Sequence, residues 1–300
     1  MKKEILHPIV LDKTQQTIVD MHSLMNIINI IVSELYFLQI NTFFDNELNE
    51  ALDLNQSFAK DMYSEKARMK RFYLIDDFIS QNNLHLDKFA KQLPSDKLPI
   101  FEIARDNLRS IFSILKIRIT EILNRIDSEE KWFEHGIAQL KRNFSDVFAA
   151  IEKNSKGRYK IVYSADEHDE NSYLVDLKIQ SSDEEIILMP PIMQDVFRDL
   201  IANARKYTEP GGKIRAHLIN DGTNLTIEVE DSGIGIPEEE IDLVVDFGYR
   251  ADNVLHIQTK GGGFGLTKAY HLTKRHNGRF WIDSKIGHGT LIKIEIPVSD

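Results

Sequence analysis

The chain contains no cysteine, which excludes disulfide bonds, thiolate nucleophiles and cysteine-based zinc sites. It also has no amino-terminal apolar run of the length that a signal peptide needs, because its first residues read MKKEILHPIVLDKT. We find no internal repeat and no low-complexity tract. A chain without cysteine fits a reducing compartment, so we expect a cytoplasmic protein.

Charge and size further restrict the classes of protein to which the chain can belong. The net charge of −10 argues against a nucleic-acid-binding surface. A hydrophobic content of 42% and a charged content of 28% are ordinary for a soluble globular protein. At 300 residues the chain is long enough for one or two domains, each with a buried core.

The most apolar stretch covers residues 24–40, and it also carries polar side chains such as Asn29, Glu34 and Gln39. A membrane span needs roughly 20 mostly apolar residues, and a glutamate at mid-bilayer is costly. We therefore predict a buried or dimer-forming helix here, and no membrane span.

The first half of the chain has helical periodicity. Apolar residues at helical spacing predict helices over 14–51, 54–79 and 100–126. The Asn82–Asn83 pair, Pro94 and Pro99 predict a broken segment over 81–99. Ser128, followed by two glutamates, predicts the start of another helix that runs to about residue 151.

The second half alternates between short strands and helices. Strands are predicted over the following ranges: 159–163, 173–179, 186–188, 213–219, 224–230, 279–284 and 291–296. Helices are predicted from the Pro190–Pro191 pair to Tyr207, after Pro237, and over 264–277. The fold class is therefore α+β, a mixed sheet with helices on one face, preceded by a helical region. We place the domains at 1–153 and 154–300.

A polar helix face forms the first candidate motif, DLIANARKYT. Asp199, Asn203 and Lys206 lie at i, i+4 and i+7 and share one side of the helix. The neutral amide oxygen of Asn203 suits a Mg²⁺ ion that also binds phosphate, and Lys206 can reach the same phosphate as a point charge. Tyr207 can stack on a base. An ordinary helix with a polar outer face has the same pattern.

Two glycine-containing turns form the remaining motifs. Asp231 precedes Gly233 and Gly235. If it is buried, its carboxylate can accept a hydrogen bond from an exocyclic amine. The two glycines let the backbone approach a flat ring closely. An ordinary turn is the alternative. The glycines of the run GGGFGL precede a helix, and their amides can bind anionic oxygens with help from the helix N-terminus. The run follows neither the Rossmann nor the P-loop pattern. Residues 248–260 between the motifs suit a mobile lid.

The order DLIANARKYT, DSGIGIP, DFGYR, GGGFGL and GHGTLIKIEIP resembles the ATP-binding domain of sensor histidine kinases, within the gyrase–Hsp90–histidine kinase–MutL superfamily. The resemblance implies an α/β sandwich that binds ATP and Mg²⁺ under a flexible lid. It implies Asn203 as the Mg²⁺ ligand, with Asp199 as a further candidate, and Asp231 as the adenine reader supported by Thr290. The other implied ATP-binding residues are Lys206, Tyr207, Gly233, Gly235, Gly261, Gly263, Gly265 and Leu266.

Two positions depart from the family pattern. Asp199 stands where many members carry asparagine, and the phenylalanine-rich box is reduced to VDFGYR.

The resemblance also implies a phosphate-accepting histidine on a dimeric helical hairpin. His22 is the best candidate, because Asn26 follows four residues later on the same helix face. A neutral imidazole can attack phosphorus near pH 7, and Asn26 can orient water for later dephosphorylation. Ser23 stands where most members carry an acidic residue after the histidine. His135 beside Glu134 is the alternative, and the second hairpin helix is either 100–126 or 129–151.

We therefore predict a soluble, homodimeric histidine kinase that uses ATP and Mg²⁺ and passes the phosphoryl group to the receiver domain of a response regulator. The alternative is a non-catalytic or phosphatase-biased ATP-binding module that docks a partner protein. An anti-sigma serine kinase is disfavoured by the long histidine-bearing helix. A gyrase-like ATPase is disfavoured because it needs glutamate at the position of Asp199.

Overall fold

The computed structural model describes residues 2–43, 48–125, 131–155, 157–257 and 262–298. The chain divides into two compact units. Residues 13–127 form a helical unit, while residues 1–12 and 128–300 together form a second unit. The first residues of the chain therefore belong with its carboxy-terminal half.

The helical unit contains five helices within its described residues: α1 (Lys13–Thr42), α2 (Asn49–Asp61), α3 (Glu65–Tyr73), α4 (Ile75–Ala90) and α5 (Leu98–Arg125). The predicted helix over 100–126 is confirmed as α5 to Arg125. The predicted helix over 14–51 ends at Thr42, and the one over 54–79 is divided among α2, α3 and α4. Ser64 marks one division, because its side chain accepts from the backbone N–H of Ala67 at the start of α3.

The predicted break at the Asn82–Asn83 pair is wrong, since α4 continues to Ala90. Asn82 is buried, and its amide donates to the carbonyl of Phe78 at 3.0 Å. Its side-chain oxygen accepts from Asn55 of α2 at 2.6 Å. A buried asparagine with both ends bonded links two helices instead of ending one.

Helices α1 and α5 form an antiparallel hairpin. Lys97 reaches the carbonyl of Asn41 at 3.5 Å, and Asn107 reaches the carboxylate of Glu34 at 3.4 Å. Apolar side chains from both helices, including Leu24 and Leu115, share one core cluster. Of the two candidate partners for the histidine-bearing helix, the structure therefore selects α5.

Helix α1 is also the one helix among the described residues whose length and composition would allow it to cross a membrane. A core helix of a soluble protein meets the same criterion. In this structure α1 packs through Leu24, Ile28 and Ile31 into the helical core.

The second unit contains a seven-stranded mixed sheet in the order β1-β8-β9-β7-β6-β4-β3 and a two-stranded sheet of β2 and β5. The strands are β1 (Lys2–Glu4), β2 (Phe133–Gly136), β3 (Lys160–Val162), β4 (Ser172–Ser181), β5 (Ile186–Met189), β6 (Lys213–Asn220), β7 (Asn224–Asp231), β8 (Arg279–Lys285) and β9 (Gly289–Pro297). Its helices are α6 (Ile137–Asn154), α7 (Ile192–Lys206) and α8 (Phe264–Arg275). The inward side chains of the strands and all three helices share one core, which confirms the α+β class.

Three local predictions differ from the structure. Strand β1 was not predicted, strand β2 occupies part of the predicted helix up to 151, and the predicted helix after Pro237 is reduced to 3₁₀ turns over Glu238–Glu240 and Leu243–Val245. The predicted helix start at residues 128–130 lies outside the described residues.

The boundary between the units lies at 127/128 and not at 153/154. Helix α6 accounts for the difference. Phe144 of α6 meets Phe197 of α7 edge to face, with 4.9 Å between ring centroids. Phe144 and Phe148 are both buried in the core of the sheet. Because α6 buries its apolar face against this sheet, it belongs to the second unit.

Candidate functional site

Helix α7 positions the first group of predicted site residues. Its apolar side, including Val196, Phe197 and Leu200, packs into the core and leaves Asn203 and Lys206 partly exposed near its end. Thr208 follows and donates from its hydroxyl to the carbonyl of Ala204 at 2.7 Å, which fixes the last turn. The periodicity of the sequence predicts this arrangement correctly.

Asp231 ends strand β7, opposite Thr290 of β9. Its Oδ1 accepts from the backbone N–H of Gly233 at 2.8 Å and of Thr290 at 3.3 Å. Burial raises the pKa of Asp231 to about 6, against the lowering effect of these two bonds. Among the described residues Oδ2 has no hydrogen-bond partner. This oxygen can accept from an exocyclic amine.

The turn after Asp231 packs against the end of α7. Ile234 donates to the carbonyl of Tyr207 at 3.1 Å. A Cβ at Gly233 would lie 2.2 Å from that carbonyl oxygen and 2.8 Å from Oδ1 of Asp231, so only glycine fits between them. Gly235 lies against the backbone of Lys285. Two motifs separated in the sequence therefore lie against each other, and we call the region around Asp231, Gly233 and the end of α7 the cleft.

Gly265 of the glycine run lies beside Asn203. Gly263 is the amino-terminal cap residue of α8 and has a φ of 80°. A Cβ at Gly265 would lie 2.8 Å from Nδ2 of Asn203, so the backbone of α8 comes very close to that side chain. Leu266 packs against the core. The positive end of the α8 dipole thus lies beside Asn203, where it favours an anion. Gly261 lies outside the described residues.

Lys206 adds positive charge to this side of the cleft. Burial, followed by repulsion from Arg250 and Arg205, lowers the pKa of Lys206 to about 8. Its ammonium group lies 4.8 Å from the centre of the Tyr207 ring. The cluster of cations indicates a place where an anion would relieve repulsion.

Arg250 was not singled out from the sequence, although it belongs to the quoted DFGYR motif. Its guanidinium donates to the carbonyls of Val254 and Ile257 at 2.9 and 3.0 Å. Asn253 in the same segment donates to the carbonyl of Gly235 at 2.9 Å. The first part of the predicted lid is therefore bonded to the glycine turn that follows Asp231. Residues 258–260 lie outside the described residues.

Thr290 contacts Asp231 through its backbone. Its hydroxyl lies 2.8 Å from the hydroxyl of Ser284 on β8, and Ser284 accepts from the backbone N–H of Ile236 at 2.8 Å. These bonds connect β8, β9 and the glycine turn around the carboxylate.

Asp199 is engaged differently from the prediction of a candidate metal ligand. Its Oδ2 lies 3.0 Å from Nζ of Lys268, a lysine of α8 that is only 1% exposed. Lys268 was missed in the sequence because a lysine after GFGLT gives no sign of burial.

The cleft has the donors and acceptors that a nucleotide with Mg²⁺ requires. Asp231 offers a buried acceptor for the base, and Lys206 and the amino terminus of α8 offer positive charge for phosphate. The amide oxygen of Asn203 is a hard ligand suited to a magnesium ion that takes its remaining ligands from phosphate and water. The residues therefore fit both groups.

His22 and Asn26 lie in the helical unit, on α1. Nδ2 of Asn26 is 3.1 Å from Nε2 of His22, so the two side chains share a helix face as predicted. His22 is half-buried.

The alternative histidine, His135, lies in strand β2 of the other unit. Its two ring nitrogens contact the carbonyl of Met189 and the side chain of Gln194, each at 3.2 Å. Burial lowers its pKa.

The carboxy-terminal part of the chain is similar in sequence to known proteins. Residues 190–300 match the family described as "Histidine kinase-, DNA gyrase B-, and HSP90-like ATPase". The sensor protein kinases WalK of Staphylococcus saprophyticus and Staphylococcus epidermidis are each 36% identical over 110 residues. This segment is 36% of the present chain and 18% of each relative.

Among solved structures, the catalytic domain of histidine kinase ThkA is 22% identical and has a TM-score of 0.38, covering 56% of this chain and 97% of that one. The mycobacterial sensor histidine kinase MprB is 18% identical with a TM-score of 0.38, covering 55% of this chain and 96% of that one.

The matched segment contains the residues of the cleft named above. Residues 190–300 are therefore similar to the histidine kinase-, DNA gyrase B- and HSP90-like ATPases, and the second unit resembles the ATP-binding domain of sensor histidine kinases.

Proposed function

We propose that this protein is an ATP-dependent protein histidine kinase that phosphorylates His22 and passes the phosphoryl group to an aspartate of a response-regulator receiver domain. The observation that carries the proposal is the convergence of Asp231, Asn203 and the amino terminus of α8 in one cleft. The same chain supplies a histidine–asparagine pair on the long helix of a hairpin.

The base end of the cleft selects adenine in this proposal. Asp231 accepts from the exocyclic amine through Oδ2, while its Oδ1 is held by Gly233 and Thr290. Gly233 lets the ring approach the backbone, and Tyr207 stacks against it. Asp231 must be ionised to accept, which requires a pH above its pKa of about 6.

The phosphate end works by position and charge. Magnesium-bound ATP supplies the γ-phosphoryl group. Asn203 offers the ion one amide oxygen, Lys206 offers a point charge, and the α8 amides face the phosphate oxygens. Phosphoryl transfer depends mainly on such positioning and charge neutralisation.

His22 is the proposed nucleophile. The lone pair of a neutral ring nitrogen forms the P–N bond as the bond from phosphorus to the leaving oxygen of ADP breaks. Asn26 now donates to Nε2 of His22, so this hydrogen bond has to break before Nε2 attacks. Ser23 cannot act as the acidic neighbour that would activate the ring, and we expect slow autophosphorylation.

We propose that the α1–α5 hairpin forms a homodimer in the cytoplasm and docks the receiver domain. Support comes from the long hairpin and from the matched kinases, although the matched segment is 18% of their length.

A labelling experiment tests the proposal. We expect the full chain incubated with γ-labelled ATP and Mg²⁺ to acquire label that is acid-labile and base-stable, as phosphohistidine is. His22→Gln should abolish the label and retain nucleotide binding. Asn203→Ala should abolish the label by removing the magnesium ligand.

His135→Gln is the matched control, because it removes a partly buried histidine outside the helical unit. It should retain the label. Label that persists in His22→Gln would place the acceptor elsewhere, and an unlabelled wild-type protein that still binds ATP would refute kinase activity.

A phosphatase-biased module is the second candidate. Two features favour it. Ser23 cannot act as a base beside His22, and the amide of Asn26 lies next to His22, where it could orient a water molecule. Faster dephosphorylation of a phosphorylated receiver in the presence of this protein, lost in Asn26→Ala, would support it.

A further inference from the structure

A buried group of charges lies between α7 and α8, apart from the residues proposed above to contact the nucleotide. Nζ of Lys268 is 3.0 Å from Oδ2 of Asp199 and 3.9 Å from Oδ2 of Asp195. Asp195 also pairs with Arg198 at 3.0 Å. The side chains of Lys268 and Asp195 are 1% and 2% exposed, and that of Asp199 is 14% exposed. The charges are therefore almost completely removed from water.

Such a group is a poor way to gain stability alone. Removing two charges from water is costly, and apolar side chains of similar volume often stabilise a core equally well. We therefore look to the packing of α7 on α8 for the role of this buried group of charges.

Two contacts between α7 and α8 lie one helical turn apart. Asp199 precedes Asn203 by one helical turn on α7, and Gly265 precedes Lys268 by about one turn on α8. Gly265 lies against Asn203, and Lys268 lies against Asp199. The two contacts therefore form consecutive steps along the same helix–helix interface.

We propose that Asp199 and Lys268 are a positioning pair that sets the register of α8 on α7. In this role the pair holds the amino terminus of α8 beside Asn203, and Asp199 is not a magnesium ligand. The proposal deepens the proposed function, and it depends only on nucleotide binding in that site.

The test measures the affinity of the full chain for an ATP analogue with a non-hydrolysable β–γ linkage, by calorimetry across a series of Mg²⁺ concentrations. Asp199→Asn and Lys268→Met should each weaken binding about tenfold, because the first leaves Lys268 with only the more distant Asp195 at 3.9 Å and the second leaves Asp199 without its cation. The double variant should recover to within about threefold of wild type, since it leaves neither charge unpaired.

The magnesium dependence separates positioning from ligation. In Asp199→Asn the Mg²⁺ concentration that gives half-maximal binding should stay unchanged. In Asn203→Ala it should rise. Arg279→Met is the control for loss of an ion pair, because Arg279 pairs with Glu4 on the exposed sheet edge, and it should leave both quantities unchanged.

Two outcomes would overturn the proposal. One is a rise in the Mg²⁺ requirement of Asp199→Asn like that of Asn203→Ala, and the other is losses that add in the double variant. If Lys268→Met does not fold, the double variant should still bind the analogue more tightly than Asp199→Asn does, and equal or weaker binding would overturn the proposal. A wild-type chain that binds the analogue and lacks histidine labelling would refute the kinase proposal alone.

Discussion

Two ionisable side chains of the candidate site, Asp231 and Lys206, have shifted pKa values. Burial raises the pKa of Asp231 to about 6, and burial with the nearby arginines lowers that of Lys206 to about 8. Asp231 accepts from an amine only when ionised, and Lys206 attracts phosphate only when protonated. Both conditions hold together between these two pKa values.

We expect ATP affinity to be highest from about pH 6 to about pH 8 and to fall on both sides. Binding is lost as the pH falls through the pKa of Asp231, because protonation removes the acceptor. It is lost as the pH rises through the pKa of Lys206, because deprotonation removes the charge. Calorimetric titrations from pH 5 to pH 9, roughly the range spanned by both transitions, would measure this.

Two comparisons identify the side chain that causes each fall in ATP affinity. Inosine triphosphate shares the phosphates of ATP and has an oxygen in place of the amine, so its affinity should not fall on the acid side. Lys206→Arg should keep its charge and lose the alkaline decline. If the affinities for ATP and for inosine triphosphate fall equally as the pH is lowered, Asp231 does not recognise the adenine amine.

Among the elements, strand β1 was the least expected. Lys2–Glu4 pair with Trp281–Asp283 along the edge of the sheet. Ile5 is 0% exposed in the sheet core, and the hydroxyl of Tyr270 donates to the carbonyl of His7 at 2.6 Å. The first residues thus complete the ATP-binding unit before the chain enters α1.

We expect Ile5→Ala to lower the free energy of unfolding of this unit by about 2–4 kcal/mol, because it leaves a cavity in the core. Leu6→Ala is the matched control, since Leu6 is 73% exposed, and its effect should stay within about 0.5 kcal/mol. Urea unfolding followed by tryptophan fluorescence would measure both. Equal effects in the two variants would show that the strand does not pack as described.

At the scale of the whole molecule, the position of α6 decides where the ATP-binding unit begins. Strand β2 pairs with β5, and α6 buries Phe144 and Phe148 against the sheet. A division at residue 153/154 would remove both aromatic side chains from the core. A division at 127/128 retains them.

Two fragments that both lack residues 1–12 test this boundary. A fragment of residues 131–300 should unfold cooperatively on heating and bind ATP. A fragment of residues 154–300 should have a markedly lower Tm or aggregate, because loss of a buried phenylalanine costs about 3–5 kcal/mol. Equal Tm values for the two fragments in differential scanning calorimetry would support a boundary at 153/154.

The sequence by itself determined the central strands, the hairpin at residues 220–222 and the helix that carries Asn203. Their signals are local: alternation over two residues, an Asn-Asp-Gly turn and helical spacing of apolar residues. It also determined which residues could form the cleft, because the DLIANARKYT and DSGIGIP motifs carry their chemistry within a few positions.

Only the tertiary structure decided which partners these residues have. The burial of Lys268 against Asp199, the pairing of Lys2–Glu4 with β8, and the choice of α5 as the partner of α1 all join positions far apart in the chain. Their energies come from burial and from contacts that exist only after the chain has folded, so no local pattern of residues encodes them.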